Sequence, residues 1–285
     1  MQVTPLGDVL GAEITGLDLA AGPDTGTASA LDTLLARHLV LVIRDQRLDP
    51  PGMLRALAPL GPVMRQHHAR YQAPDCPDVG ILDSARAERG DDGRRVKLGA
   101  SCWHSDHINH ERPPKLTALH AVRLPAEGGD TSFASMRAAY RRLPPDLRRQ
   151  AEAMRTVNGL DRDLVEVRDA DRARHGTPSS HPLVRTHPVT LEPALYLHPG
   201  KLDHFEGMSR EDSLAFMDAL LERVLEPAII YRHRWRVGDL LLCDNRACIH
   251  RAHDDYDHED SRVTYRVLIQ GDRPFFRPSG RLTFD

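Results

Sequence analysis

The chain has 285 residues, of which 40% are hydrophobic and 28% are charged, an ordinary composition for a globular protein. Its formal net charge of −3 gives no indication of a nucleic-acid-binding or membrane-surface protein. The sequence shows no basic segment followed by an apolar one at its start, no apolar run of membrane-spanning length and no CxxC pairing among its four cysteines. These features predict a single domain, residues 1–285, in a reducing cytoplasmic setting.

The first half of the chain predicts one helix and two buried strands. Residues 27–38, TASALDTLLARH, carry apolar residues at helical spacing, and HLVLVIRDQ at 38–46 is typical of a buried strand. A second strand is predicted at 115–125, KLTALHAVRLP, where a proline ends it. Between these strands, residues 83–99 are charged and contain glycines, which indicates an exposed, mobile loop.

The second half predicts helices and then short strands. Residues 134–155 are typical of two short helices separated at Pro144, and residues 156–180 are polar enough to predict a second long loop. The clearest helix lies within 208–227, with Ser209 as its N-cap. The strands that follow are AIIYRHRWRV at 228–237, GDLLLCD at 238–244 and RVTYRVLIQ at 262–270.

This order of elements favours a mostly β fold with helical additions. Short strands lie toward both ends of the chain, helices lie in the middle, and no regular βαβ alternation is present. An antiparallel barrel or jelly roll is the architecture that fits this pattern. The chain has no G-x-G-x-x-G or P-loop motif, which argues against nucleotide binding.

The stretch CWHSDH places His104 and Asp106 two positions apart. On a strand, side chains at i and i+2 point to the same face, so the pair would lie side by side with room for a metal ion between the tips. The spacing is also typical of a surface or hydrogen-bonded pair, and a third ligand would decide between the two. A serine-hydrolase triad is excluded because three consecutive residues cannot form its relay.

A His-x-Asp pair with one distant histidine has the composition of a 2-His-1-carboxylate facial triad. Such a triad holds Fe(II) and leaves positions open for oxygen and an organic co-substrate. Candidates for the third ligand lie in the segment 240–275, where composition alone does not choose among His250, His253 and His258.

Four motifs, in their order along the chain, resemble those of a known family. They are WHSD at 103–106, GGDT at 128–131, DNRACIH at 244–250 and RVTYR at 262–266. Together they are similar to the taurine/2,4-dichlorophenoxyacetate (TauD/TfdA) dioxygenase family of Fe(II)- and 2-oxoglutarate-dependent oxygenases, and the resemblance covers nearly the whole chain. It implies a double-stranded β-helix core (a cupin-like jelly roll), with Fe(II), 2-oxoglutarate and O2 as cofactors.

The resemblance also implies roles for individual residues. His104, Asp106 and His250 would be the iron ligands, because the family pattern DNRxxxH selects His250 among the three candidates. Arg262 would bind the far carboxylate of 2-oxoglutarate, helped by the hydroxyl of Thr131. A bidentate arginine–carboxylate pair is specific in its geometry, which suits this task.

A substrate pocket is predicted beside these residues. Strand alternation puts Arg266 on the same face as Arg262, which suits either an anion pocket or a solvated basic face. In the family, the Arg266 position binds the acidic group of the substrate, and His68 and Tyr71 match a segment that lies near that group. His198 stands where an asparagine is common and is a further substrate-binding candidate.

Departures from the taurine-oxidising members concern the pocket. Cys243 replaces the usual tryptophan before DNR, and Ala100 stands where those members carry an amide side chain. The substrate is therefore predicted to be a small carboxylate-bearing molecule, an amino acid or other organic acid, rather than taurine. The alternatives are cleavage of a sulfonate or an aryloxy acid, a zinc hydrolase with the same three ligands, and a non-catalytic binding jelly roll. No nucleic-acid or membrane partner is expected, while a homo-oligomer, dimer or tetramer, is common in such families.

Overall fold

The computed structural model describes residues 1–65, 71–87, 102–160, 177–257 and 259–278. The helices are α1 (Thr25–His38), α2 (Pro50–Leu57), α3 (Met136–Arg142), α4 (Pro145–Ala153) and α5 (Arg210–Val224). The strands are β1 (Gln2–Pro5), β2 (Ala12–Thr15), β3 (Val40–Ile43), β4 (Val63–Met64), β5 (Gln72–Ala73), β6 (Cys76–Asp83), β7 (Pro114–Arg123), β8 (Thr131–Ser135), β9 (Arg155–Asn158), β10 (Ser179–Pro182), β11 (Val184–Thr186), β12 (Pro193–Leu195), β13 (Leu202–Phe205), β14 (Ile230–His233), β15 (Leu240–Asp244), β16 (Cys248–Ala252) and β17 (Val263–Gln270). Among these described residues, no helix has both the length and the apolar character of a membrane span.

A large and a small sheet form the core of the fold. The large sheet has the order β1–β2–β3–β15–β7–β17–β6–β5, with β4 also on β17, and the small sheet has the order β14–β8–β16. Strands β2 and β3 are parallel, whereas the other pairs described in these two sheets are antiparallel. The mostly β architecture with helical additions agrees with the prediction from the sequence.

The large sheet is covered on both faces, as the sequence of β3 shows. Val40 and Val42 belong to a core that joins the large sheet to the small sheet, α3 and α5. Leu41 and Ile43 belong to a second core beneath α1 and α2. A strand that is buried on both faces needs apolar side chains at every position, which explains the uninterrupted VLVI run.

Two helices, α4 and α5, begin where the sequence predicts, whereas α1 begins two residues earlier than predicted and α2 was not predicted. Ser209 is the N-cap of α5, and its hydroxyl accepts a hydrogen bond from the backbone N–H of Asp212 at 3.1 Å. Pro145 begins α4, so the two prolines separate α3 from α4. A proline is tolerated in the first turn of a helix because the backbone N–H groups there have no acceptor within the helix, so the absence of an N–H costs no hydrogen bond.

The loop predicted at 83–99 is wrong at its start. Asp83 is the last residue of β6, and Ser84–Arg86 form a 3-10 turn. The Ser84 hydroxyl donates to the Asp260 carbonyl at 2.8 Å and accepts from the Arg262 backbone N–H at 2.8 Å, so these polar residues are held rather than solvated. Residues 88–99 lie outside the described residues.

The loop predicted at 156–180 is wrong at both ends, because β9 and β10 pair with each other there. Thr156 and Asn158 are fully buried, and the Asn158 amide donates to the Thr156 hydroxyl at 2.8 Å. Polar composition predicted exposure, but the Asn158 amide nitrogen and the Thr156 hydroxyl find hydrogen-bond partners inside the sheet. Residues 161–176 of this segment lie outside the described residues.

The acid stability of the fold should depend on His181. Its buried ring donates from Nε2 to the His110 carbonyl at 2.8 Å, and burial lowers the pKa of His181 to about 4. The unfolded chain binds this proton with a pKa of about 6.5, so it binds more protons than the folded chain between the two values. The free energy of unfolding should therefore fall as the pH falls from 6.5 toward 4, by up to about 3 kcal/mol from this residue.

Urea unfolding at pH 7 and pH 5 measures this loss. A His181→Gln variant keeps a donor but no titratable ring, so its stability should fall less between the two pH values than that of the wild type. An equal fall in both proteins would contradict the role of His181.

Candidate active site

His104, Asp106 and His250 converge although they are far apart in the sequence. Their ligand atoms all lie within 4.8 Å of one another, and all three residues are buried. His104 forms an isolated antiparallel bridge with His250 of β16, in which each backbone N–H donates to the carbonyl of the other at 2.9 and 2.8 Å. Among the described residues, this is the group of His, Cys, Asp and Glu side chains whose geometry suits a metal ion.

The strand geometry predicted for the His-x-Asp pair is wrong. His104 pairs through a single bridge, Asp106 is already in a turn, and His107 has a left-handed φ of 46°. The turn nevertheless brings the carboxylate to both imidazoles, with Asp106 Oδ1 at 3.7 Å from His104 Nε2 and Asp106 Oδ2 at 3.8 Å from His250 Nε2. These separations are too long for hydrogen bonds and are consistent with three donors around a cation.

The protonation states suit metal binding. His104 Nδ1 lies 2.9 Å from the Cys102 carbonyl, which accepts only from an N–H, so this hydrogen bond favours the tautomer whose lone pair lies on Nε2. Burial lowers the pKa of His250 to about 3. Burial alone would raise the pKa of Asp106, but His250, His104 and Arg266 outweigh it and hold that pKa well below its usual range. A carboxylate and two neutral imidazoles are the donor set that Fe(II) accepts in facial triads.

The rival candidates for the third ligand lie elsewhere. His253 Nε2 forms a hydrogen bond with the Ser132 hydroxyl at 2.7 Å, and its backbone N–H donates to the Asp130 carbonyl at 2.9 Å. His258 lies outside the described residues. The geometry therefore favours His250, as the DNRxxxH pattern does.

Arg262 and Thr131 lie beside each other at one end of the small sheet. Arg262 precedes β17, and its Nη2 lies 3.5 Å from the carbonyl of Gly129, two residues before Thr131. A Cβ at Gly129 would lie 3.4 Å from Arg262 Nε, and Gly129 has a φ of 71°, so glycine suits this close approach. Register places Thr131 opposite Ala252, on the same face of the sheet as His250.

Both side chains have unused capacity for hydrogen bonds. The Trp235 indole donates to Thr131 Oγ1 at 3.0 Å, which leaves the threonine hydrogen available to another acceptor. Arg262 Nε is buried without a hydrogen-bond partner, and no described carboxylate forms a salt bridge with this guanidinium. Burial accordingly lowers the pKa of Arg262. A partly buried guanidinium with a buried, unsatisfied Nε is suited to binding an anion.

Arg266 and His198 also lie near the three ligands. Register pairs Arg266 with Leu119, so its side chain lies on the face of the large sheet that carries Thr117, whose hydroxyl contacts Asp106. The charge of Arg266 lowers the pKa of both Asp106 and His250. The His198 ring is buried with its centroid 5.2 Å from that of His104, and burial lowers the pKa of His198 well below its ordinary value. Among the described residues, His198 Nδ1 has no hydrogen-bond partner, so a neutral imidazole lies beside the ligand cluster with an unsatisfied nitrogen.

The other pocket candidates are less constrained. Tyr71 immediately precedes β5, at the edge of the large sheet beyond β17 and β6. His68 and Ala100 lie outside the described residues. The pocket roles of these residues stay predictions.

Comparison with known proteins identifies the family of this chain. Residues 2–268 match the family profile described as taurine catabolism dioxygenase TauD, TfdA family. The chain belongs to the TauD/TfdA dioxygenase family. The jelly-roll fold is confirmed, and so is dioxygenase chemistry with Fe(II), 2-oxoglutarate and O2.

Relatives and solved structures match over most of their length. The chain is 33% identical to an alpha-ketoglutarate-dependent sulfate ester dioxygenase of Pseudomonas putida, over 96% of this chain and 91% of that protein. It is 31% identical to an alpha-ketoglutarate-dependent 2,4-dichlorophenoxyacetate dioxygenase of Cupriavidus pinatubonensis, over 94% and 97%. A taurine dioxygenase structure from Burkholderia xenovorans superposes with a TM-score of 0.81 at 29% identity, over 98% of this chain and 94% of that one.

The DNR part of the TauD/TfdA signature has a structural role that the sequence analysis missed. Asp244 is fully buried and accepts hydrogen bonds from Arg246 Nε at 2.8 Å and from His187 Nε2 at 3.0 Å. His187 Nδ1 in turn accepts from the backbone N–H groups of the loop that follows it. This network anchors the turn between β15 and β16 and therefore the strand that carries His250.

Thr117 and Asn245 were missed as well. Thr117 Oγ1 lies 2.5 Å from Asp106 Oδ2, and Asn245 Nδ2 lies 2.8 Å from Thr117 Oγ1. Thr117 is a polar residue between the apolar Leu116 and Ala118, and Asn245 is the middle residue of DNR, so a signal was present in the sequence. Neither signal indicates which ligand the two residues contact.

Replacement of His250 by alanine should abolish most metal binding, because it removes one of three converging donors. Titration of the metal-free protein with Mn(II) in a calorimeter measures this directly. His253→Ala is the matched control and should bind Mn(II) as the wild type does, since its ring pairs with Ser132. If His250→Ala bound Mn(II) normally, the third ligand would have to be sought elsewhere.

Proposed function

We propose that this TauD/TfdA-family dioxygenase oxidises a small carboxylate-bearing substrate, with His104, Asp106 and His250 holding Fe(II). The proposal is carried by the positions of two guanidinium groups. Arg262 lies against Gly129, just before β8, and Arg266 lies on the sheet face that carries Thr117, whose hydroxyl contacts Asp106. Two cations beside one metal centre suit two organic anions, the co-substrate and the substrate.

When bound, Fe(II) supplies the activation of O2 that is coupled to the conversion of 2-oxoglutarate into succinate and CO2. The burial of all three candidate ligands would limit the access of water to this reaction. The product proposed for the substrate is the one in which a hydroxyl group replaces hydrogen, and the second oxygen atom of O2 would be accounted for in succinate.

Arg262 is proposed to bind the far carboxylate of 2-oxoglutarate. Its guanidinium is partly buried and has an unsatisfied Nε, and Thr131 has a hydroxyl hydrogen to give to the same carboxylate. The register of β8 on β16 puts Thr131 on the His250 face, which directs the co-substrate toward the metal. A solved structure of AAD-2 with Mn(II) and N-oxalylglycine superposes with a TM-score of 0.82 at 26% identity, over 96% of this chain and 100% of that one.

Arg266 is proposed to bind the acidic group of the substrate. The named activities of relatives concern 2,4-dichlorophenoxyacetate, (S)-phenoxypropionate and sulfate esters, all of which carry an anionic group. Arg266 lies near the ligand cluster, so a substrate held there would present a nearby C–H to the metal. His198, and in the wider pocket His68 and Tyr71, are proposed to add hydrogen bonds.

A sulfate ester is the second candidate substrate, because the sulfate ester dioxygenase of Pseudomonas putida is 33% identical to this chain. A hydroxyl group placed on a carbon that bears an ether or ester oxygen gives a hemiacetal-type product, which separates into a carbonyl compound and a phenol or sulfate. The same centre would then cleave a C–O bond without any further catalyst. Succinate release with a panel of amino acids, aryloxy acids, sulfonates and sulfate esters tests these classes together.

Replacement of Arg262 by alanine should weaken 2-oxoglutarate binding about ten- to a hundredfold, as the loss of a charged hydrogen-bonded pair predicts. Calorimetry with the Mn(II)-loaded protein measures the affinity, and Mn(II) binding itself should be retained. Arg123→Ala is the control, since Arg123 lies opposite Val263 at the end of the same strand pair and donates to the Ser261 hydroxyl. Unchanged 2-oxoglutarate binding in Arg262→Ala would transfer the role to another cation, with Arg266 first.

Replacement of Arg266 by alanine should raise the KM for an acidic substrate more than tenfold, because its ionic anchor is lost. The best acidic substrate should be compared with its neutral amide in both proteins. The wild type should oxidise the amide poorly, whereas Arg266→Ala should oxidise the amide at least as well as the acid. Mn(II) affinity is measured in parallel, since Arg266 also influences Asp106. Equal turnover of acid and amide by the wild type would refute the anionic anchor.

A further inference from the structure

We infer that Thr117 and Asn245 are positioning residues that hold the Asp106 carboxylate in one orientation, with Oδ2 engaged by the protein and Oδ1 left for the metal. The inference rests on the proposed metal centre and adds to it. It concerns residues that are not themselves ligands and that lie on two other segments of the chain.

Thr117 reaches the carboxylate from the large sheet. On β7, its neighbours Leu116 and Ala118 belong to the core beneath α1 and α2, so the alternation of the strand turns Thr117 to the opposite face. Its Oγ1 lies 2.5 Å from Asp106 Oδ2. A hydroxyl at this distance from an ionised carboxylate forms one of the stronger hydrogen bonds found in proteins.

Asn245 determines the direction of that hydrogen bond. Its Nδ2, which can only donate, lies 2.8 Å from Thr117 Oγ1. The Thr117 oxygen therefore accepts from Asn245, and its single hydrogen is given to Asp106, whose ionised carboxylate can only accept. The chain of donors runs in one direction, from the amide through the hydroxyl to Oδ2, and such a chain strengthens each of its bonds.

The amide of Asn245 is itself held by the ligand segment. Its Oδ1 accepts from the backbone N–H of Asp106 at 3.4 Å, and its backbone carbonyl accepts from the Ser105 hydroxyl at 2.9 Å. Ser105, Thr117 and Asn245 are each 1% exposed or less, so water does not compete for these bonds. One residue of the β15–β16 turn thus holds both the backbone and, through Thr117, the side chain of Asp106.

The consequence concerns the two oxygens of the carboxylate. Oδ2 accepts from Thr117 and lies 3.8 Å from His250 Nε2, whereas Oδ1 lies 3.7 Å from His104 Nε2 and accepts no hydrogen bond from a described residue. Because the two oxygens lie equally close to the imidazoles, the hydrogen bond from Thr117 is what distinguishes them, and it leaves Oδ1 as the oxygen for the metal. A carboxylate that binds through one oxygen leaves a position open that bidentate binding would occupy, and a facial triad needs its open positions for the co-substrate and O2.

The test is a series of substitutions at Thr117, measured on the metal-free full-length protein. Thr117→Val keeps the shape of the side chain and removes the hydroxyl, and it should weaken Mn(II) binding about 10- to 100-fold, the usual effect of losing a partner of a metal ligand. Thr117→Ser keeps the hydroxyl and should restore Mn(II) affinity to within about threefold of the wild type. Thr156→Val is the matched control, since Thr156 is equally buried but bonds within β9 and β10.

The absorption spectrum of the Co(II)-substituted protein provides a second measurement, because its visible bands depend on how the carboxylate coordinates. The bands should change in Thr117→Val and in Asn245→Asp, and should stay unchanged in Thr117→Ser and Thr156→Val. Thermal unfolding of each metal-free variant shows whether it is folded, and Thr117→Ala replaces Thr117→Val if the latter is not.

Normal Mn(II) affinity together with an unchanged Co(II) spectrum in Thr117→Val would overturn the inference. A failure of Thr117→Ser to restore binding would do the same, because the hydroxyl would then not be the group responsible. A wild-type protein that bound no Mn(II) would instead overturn the metal centre itself, so the two failures are distinguishable.

Discussion

The active site depends on one pair of backbone hydrogen bonds, those that join His104 and His250. They attach a segment that is not part of a regular strand to β16 of the small sheet. Because the bonds are reciprocal, the two imidazoles are brought together with ring centroids 4.2 Å apart. The carboxylate of Asp106 then arrives from the following turn. A loss of this pairing would separate the ligands however well the rest of the fold formed.

Burial gives the site its electrostatic character. Taken out of water, an imidazole favours its neutral form, and a carboxylate stays ionised only if cations or donors face it. His250 and His198 follow the first rule, and Asp106, with Arg266 nearby and Thr117 on its Oδ2, follows the second. The cost of collecting these groups is offset when a metal ion binds, which couples metal binding to the stability of the site.

The same reasoning separates the candidate metal site from the predicted substrate pocket. Strand register positions the candidate ligands, and Gly129 permits the close approach of Arg262. In the predicted pocket, Cys243 and His198 are the positions at which the sequence analysis expects a difference from the taurine-oxidising members. An arginine that can hold either a carboxylate or a sulfate fits the range of anions named for the relatives.

Much of this protein was readable from its sequence, because the signals are local. Alternation and apolar runs predicted β3, β7, β15 and β17, the capping residue predicted the start of α5, and ordered motifs identified the ligand set. The expectation of exposed loops failed at β9 and β10, where polar side chains satisfy one another in a sheet. The polar composition of a segment does not show whether its side chains will find hydrogen-bond partners inside the fold, so it does not by itself predict exposure.

Only the tertiary structure decided how Asp106 is held. The sequence predicted a strand for the His-x-Asp pair, whereas a turn at His107 delivers the carboxylate. Thr117 and Asn245 lie on segments that meet Asp106 only when the sheets have formed. Local periodicity reports which face a residue occupies, but contacts between distant segments depend on the register of several strands at once. The three candidate ligands could therefore be predicted from the sequence, whereas their orientation was determined by packing.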